Sequence, residues 1–225
     1  MALRFPGARS ARLPVLAAIL LAAVIAAAPV AASAQDTGQD NGRAPAKQQK
    51  KLPEAPGKLP KVGADRTRGL DFLFGALKAA PDEASAKHVE ARIWALWMQT
   101  PSDTAALLMV RAKAAMDAQK YDVALKLLDA VVKLRPDYVE AWNRRATVYY
   151  LQSDYQRSLE DIEQVLVREP RHFGALAGLG MIMQDLGDDK RALDAFRKAL
   201  AVNPYLDKLP EMVRTLTEKV EGRDI

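Results

Sequence analysis

The chain has no cysteine and only two histidines, His88 and His172, which excludes a disulfide framework, a thiolate nucleophile and a Cys–His zinc set. It also lacks a His-Glu-x-x-His pair and a glycine-rich phosphate loop, so no cofactor, metal ion or small-molecule substrate is expected. The remaining candidates for chemistry are weak. Asp161 with Glu163 and Asp185 with Asp188 have the spacing of a solvated helix face, and His172, just after Pro170, reads as a loop or helix-start residue. An enzyme is therefore not expected. The absence of stray thiols suits an oxidising compartment.

The formal charge of +5 points toward nucleic acid until its placement is considered. Arg4, Arg9 and Arg12 precede an apolar run from Leu13 through Ala28, and Ala32-Ser33-Ala34 supplies the small residues of a signal-peptidase site. Pro29 stops a helix ahead of that site. Cleavage after Ala34 is expected, with retention as a membrane anchor the alternative, and a periplasmic location follows. Removing those arginines leaves 30 basic against 28 acidic residues, a net +2, without the one-sided field of a nucleic-acid binder. Residues 35–66 hold Pro45, Pro53, Pro56 and Pro60 with almost no large apolar side chain, the composition of a disordered tether. Its lysines are also compatible with contact to cell-wall polymer or anionic lipid.

Helical periodicity begins near Leu70. Leu70, Leu73, Phe74 and Leu77 share one face, and Val89, Ile93, Trp94, Leu96 and Trp97 form a second stripe beyond Pro81. Residues 67–104 thus read as a helical hairpin and, on the frame described next, as a degenerate first repeat. Pro136, Pro170 and Pro204 stand 34 residues apart and close units 105–138, 139–172 and 173–206. Within each 34-residue frame, column 8 holds Ala112, Ala146 and Gly180 and column 20 holds Ala124, Ser158 and Ala192. Two antiparallel helices must cross at these small residues. Column 24 supplies Leu128, Ile162 and Phe196 to the contact, and a last helix from Leu209 to about Glu221 is expected to cap the stack. The fold class is all-α, a helical-hairpin solenoid of three to four repeats.

Residues 105–204 resemble tetratricopeptide repeats, most closely in Trp142, Ala146, Tyr149, Tyr155, Ile162, Val165 and Pro170. Arg111, Arg145 and Asp189 depart from the usual pattern of that family. The resemblance implies a right-handed solenoid whose concave groove is lined by the first helix of each unit. Carried over column by column, the groove consists of Met109, Lys113 and Met116, then Asn143, Arg144, Thr147 and Tyr150, then Ala177, Met181 and Gln184. Gly174 and Gly178 remove side chains beside it. The basic clamp that grips terminal carboxylates in some members is not reproduced, since only Lys113, Asn143 and Arg144 approach it. The implied role is a periplasmic adaptor that binds a peptide or helix of a partner protein in envelope assembly. Alternatives are a self-associating module paired through its end helices, tested at Leu216, and a binder acting through the basic tether.

Overall fold

The computed structural model describes residues 62–222, so the signal-peptide expectation and most of the tether lie outside the described residues. Within them the chain is helical throughout: α1 (Val62–Lys78), α2 (Glu83–Met98), α3 (Asp103–Asp117), α4 (Tyr121–Leu134), α5 (Val139–Leu151), α6 (Tyr155–Arg168), α7 (Phe173–Asp185), α8 (Asp189–Val202) and α9 (Leu209–Val220). The pairs α3–α4, α5–α6 and α7–α8 are the three repeats, and α9 packs on α8 as a C-terminal cap. Leu216 points into that contact and is buried.

The periodic residues account for the boundaries. Arg135, Glu169 and Asn203 each precede a repeat proline and leave the helical region, with φ between −139° and −129° and ψ between 77° and 98°. The proline ring disfavours α geometry in the residue before it, and so ends α4, α6 and α8. At the opposite end, Gln119, Ser153 and Gly187 occupy one column and adopt φ of 56°, 60° and 80°. This left-handed residue lets Lys120, Asp154 and Asp188 donate their N–H groups to Ala115, Tyr149 and Met183, closing each turn. Asp154 and Asp188 then cap the next helix by accepting from Arg157 N at 3.2 Å and Arg191 N at 2.9 Å.

Each repeat is held by the crossing of its two helices. Ala112 and Ala124, Ala146 and Ser158, and Gly180 and Ala192 are all buried, and Gly180 faces the ring of Phe196. The Ser158 hydroxyl donates to Ala146 O at 2.8 Å, so the one polar member is satisfied. The third unit differs in size. A Cβ at Gly180 would stand 2.3 Å from the ring of Phe196, where the other units carry Leu128 and Ile162. Gly180 and Phe196 are thus a matched pair.

The α1–α2 hairpin begins at Val62, ahead of the expected tether end at Arg66, and is placed laterally rather than on the end of the stack. Its buried Leu70, Leu73, Phe74, Leu77, Ile93 and Trp97 share a core with α7, α8 and α9, while α3 and α4 form a separate core with Tyr138, Ala141 and Val148. The reason is legible in the frame. Columns 8 and 20, small in the three clear repeats, hold Lys78 and Glu90 here, and α1 starts well ahead of the repeat frame and ends at the exposed Lys78, so the frame's crossing is not reproduced. Instead α2 runs along the row of inter-repeat loops: Glu90 accepts from Asn203 Nδ2 at 3.0 Å, Trp94 covers Gly174, Trp97 stacks on His172, and Met98 O accepts from Tyr138 OH at 2.7 Å.

Gly180→Ala is expected to cost about 1–3 kcal/mol by overpacking, measured by urea unfolding. Adding Phe196→Leu should recover part of that loss, because the smaller side chain makes room for the methyl group.

Candidate functional site

Two neighbouring features stand out on the face lined by α5 and α7. The first is a buried polar junction beneath α2. Glu140 lies in the first turn of α5 and is fully buried; its carboxylate accepts from Asn143 Nδ2 at 3.2 Å and faces His172 Nε2 at 3.4 Å. Arg144 Nε stands 3.2 Å from the same carboxylate, an ion pair without hydrogen-bond geometry, and Arg144 Nη2 reaches Met98 Sδ at 3.2 Å. His172 caps α7, since its Nδ1 accepts from Ala175 N at 3.0 Å. That bond assigns the ring hydrogen to Nε2, which then points at Glu140. Trp97 stacks on this imidazole with ring centroids 4.0 Å apart, and Trp94 meets Phe173 edge-on at 5.4 Å. The Trp97 Nε1 is buried without a hydrogen bond, so stacking and burial hold the indole in place.

Arg171 extends the junction to α1. It pairs with Asp71 at 2.7 Å and lies 4.3 Å above the Phe74 ring. Tyr138 closes the other end, and burial, followed by the charge of Glu140, pushes its pKa up to about 12.

The second feature is a crevice between α5 and α7, lined by Asn143, Thr147 and Tyr150 on one wall and Gly174 and Gly178 on the other, with Ile162 and Ile182 at its floor. Asn143 keeps its Oδ1 without a hydrogen bond among the described residues, while Thr147 Oγ1 donates to Asn143 O at 3.0 Å. Tyr150 OH donates to Asp185 at 2.9 Å, and burial with that carboxylate raises its pKa. Gly178 is buried, and a Cβ there would rest in ordinary contact with Ile162 at 3.7 Å; at Gly174 a Cβ would strike Trp94 at 2.9 Å.

The ten groove positions read from the sequence therefore fall into four places. Asn143, Thr147 and Tyr150 line the crevice. Arg144 is drawn to Glu140 and Met98. Met109 and Met116 are buried in the α3–α4 core, and Lys113 pairs with Asp117 at 2.6 Å. Ala177 and Met181 are buried in the core shared with the hairpin, and Gln184 is half-buried. Glu140 shares a groove column with Ala106 and Gly174 in the sequence frame, but its side chain is buried in the junction; Trp94 and Trp97 carry no local pattern that marks them as site residues. The carboxylates have structural roles: Asp161 holds Arg145 through two contacts of 2.8 Å, and Asp188 caps α8. Burial raises the Asp161 pKa against the opposing pull of Arg145.

Truncating Trp97→Ala should cost about 3–5 kcal/mol in chemical denaturation. A raised folded-state pKa means that Tyr138 stabilises fully below its ordinary value of 10.0 and that this contribution fades as pH rises toward about 12. Tyr138→Phe should flatten that alkaline part of the stability curve.

A tetratricopeptide-repeat family model matches residues 109–161 and 152–207. A TPR repeat-containing protein of Rhizobium etli is 40% identical over 153 residues, spanning 68% of this chain and 75% of that one. Among solved structures, the Sgt2 TPR domain from Aspergillus fumigatus superposes with a TM-score of 0.50 at 24% identity, covering 54% of this chain and 82% of the domain. The first TPR of Spaghetti (RPAP3), bound to the HSP90 peptide SRMEEVD, gives 0.51 at 16% identity over 54% of this chain and 97% of its own. These two likenesses concern the fold. The identity to the Rhizobium protein, together with three repeats joined by the same turn and helix crossing, makes this chain a member of the tetratricopeptide-repeat family.

Proposed function

We propose that this protein is a non-catalytic adaptor that binds an extended segment of a partner protein in the crevice between α5 and α7, after export to the periplasm. The observation that carries the reading is the placement of an amide acceptor without a hydrogen bond among the described residues, Asn143 Oδ1, across one crevice from Gly174 and Gly178, which present backbone and no side chain. An extended backbone offers N–H donors along its length, and a wall without a side chain lets that backbone approach. Tyr150 adds an apolar ring with its hydroxyl anchored on Asp185. A related repeat domain bound to an HSP90 peptide supports the general mode, and the incomplete basic clamp argues for a segment other than a charged C-terminal tail.

The hairpin limits the site. Trp94 and Trp97 fill the N-terminal ends of the groove helices, so a ligand has the C-terminal half of the groove, from Asn143 to Tyr150 and Gly178 to Gln184. A role in envelope assembly follows from the export reading and rests on the Arg-rich start and apolar run of the sequence.

A photo-crosslinking residue at the half-buried Gln184, at the end of the groove, should capture a partner in intact cells, and one at Lys198, on the exposed face of α8, should not. Asn143→Ala with Tyr150→Ala should weaken that partner's binding by about tenfold or more, through the loss of one hydrogen-bond acceptor and one aromatic contact. Unchanged affinity in the double variant contradicts the groove assignment. Intact mass of the protein from a periplasmic fraction should begin at Gln35, and a membrane-retained chain with residues 1–34 contradicts cleavage.

A further inference from the structure

The lateral position of the hairpin leaves one face of the solenoid bare. In the second and third repeats, the first helix packs against the helix that precedes it, and the residues that do so are buried to the same degree. Ala141 and Ala175 are 0% and 1% exposed, and Val148 and Ile182 are both 0% exposed. The same two columns in α3 hold Leu107, 52% exposed, and Ala114, also exposed, with Val110 between them at 67%. Leu107, Val110 and Ala114 form an apolar stripe of about two turns with nothing described on it.

The next junction shows what such a stripe fits. Arg145 stands in the second repeat where Arg111 stands in the first, and it is held by Asp161 of α6 at 2.8 Å and by Asp129 of α4 at 2.7 Å. Arg111 has neither partner. Leu127 occupies the column of Asp161, and the helix that would supply the counterpart of Asp129 does not lie against α3. One turn before Leu107 on the same side, Asp103 is exposed and has no ion pair among the described residues. The stripe therefore carries an unpaired acid at its start and an unpaired base eight residues later.

That order suits a copy of itself. When two α3 helices run antiparallel with a two-fold axis between Leu107 and Val110, each Leu107 meets Val110 of the other copy, and each Arg111 comes within reach of Asp103 of the other. Head-to-tail stacking has no such match, because the outer face of α9 presents Glu211, Arg214 and Glu218. The chain ahead of Val62 is a poor cover, with four prolines between residues 45 and 60 and only Leu52 and Leu59 as large apolar side chains in that stretch.

The geometry points to a two-fold dimer of this chain, formed by antiparallel pairing of α3 through Leu107, Val110 and Ala114, with reciprocal Arg111–Asp103 ion pairs. This interface is remote from the crevice, so it stands or falls separately from the adaptor reading. It also moves self-association away from Leu216, which is buried in the cap.

Sedimentation velocity of the chain from Gln35 to Ile225 tests it. The expected result is a species of twice the monomer mass, converted to monomer by Leu107→Glu with the helical circular-dichroism spectrum retained and a dissociation constant raised about 30-fold or more. Asp103→Arg should also weaken the dimer, and adding Arg111→Asp should restore it by exchanging the two charges. A monomer at all concentrations overturns the proposal. So does a dimer that is indifferent to Leu107→Glu, and so does a monomer whose α3 amides lose hydrogen-exchange protection when residues 35–61 are deleted, since the tether would then be the cover.

Discussion

Two antiparallel helices can approach within a packing distance of about 8–10 Å only where both present a small side chain, and this constraint organises the whole molecule. Ala112 with Ala124, Ala146 with Ser158, and Gly180 with Ala192 meet it. The third unit shows how narrow the tolerance is, since a phenylalanine in the facing column requires glycine rather than alanine opposite. The hairpin holds Lys78 and Glu90 in the corresponding columns, and its hydrophobic faces are buried elsewhere, on the loop row that joins the repeats.

That displacement has consequences at both ends of the chain's function. On the groove side, Trp94 and Trp97 pack on His172, Phe173 and Gly174 at the start of α7, next to the crevice between α5 and α7. On the opposite side, α3 loses the neighbour that its columns are built for, and Arg111 is left without the carboxylates that hold Arg145. The polar junction is the costly part of this arrangement. A buried carboxylate is tolerated because an arginine, an asparagine and a histidine converge on it, the last of them covered by the stacked indole.

The repeat architecture was legible in the primary structure because its information is local and periodic. Prolines spaced at 34 residues end helices through sterics that act between adjacent residues, and small columns declare the crossing. Of the groove columns carried over from the family, Asn143, Thr147 and Tyr150 line the crevice, while four others are buried in cores. Met109 and Met116 face the groove column by column yet are enclosed by the α3–α4 core, and Ala177 and Met181 are enclosed in the core that includes the hairpin. The stripe of Trp94 and Trp97 indicates a buried helix face but not its partner, which is supplied by His172 and Phe173 far along the chain. Arg145 looked like a departure from an apolar column; its reason lies in two aspartates on two different helices.

The central claim is that the hairpin lies along the inter-repeat loops and not on the end of the solenoid. The most direct measurement is the nuclear Overhauser contact between the Trp97 indole and the His172 imidazole in solution. The account predicts strong cross-peaks and ring-current-shifted His172 protons, as required by parallel rings 4.0 Å apart. Cross-peaks from Trp97 to Leu107 in place of His172 would put the hairpin on the end of the stack and contradict it.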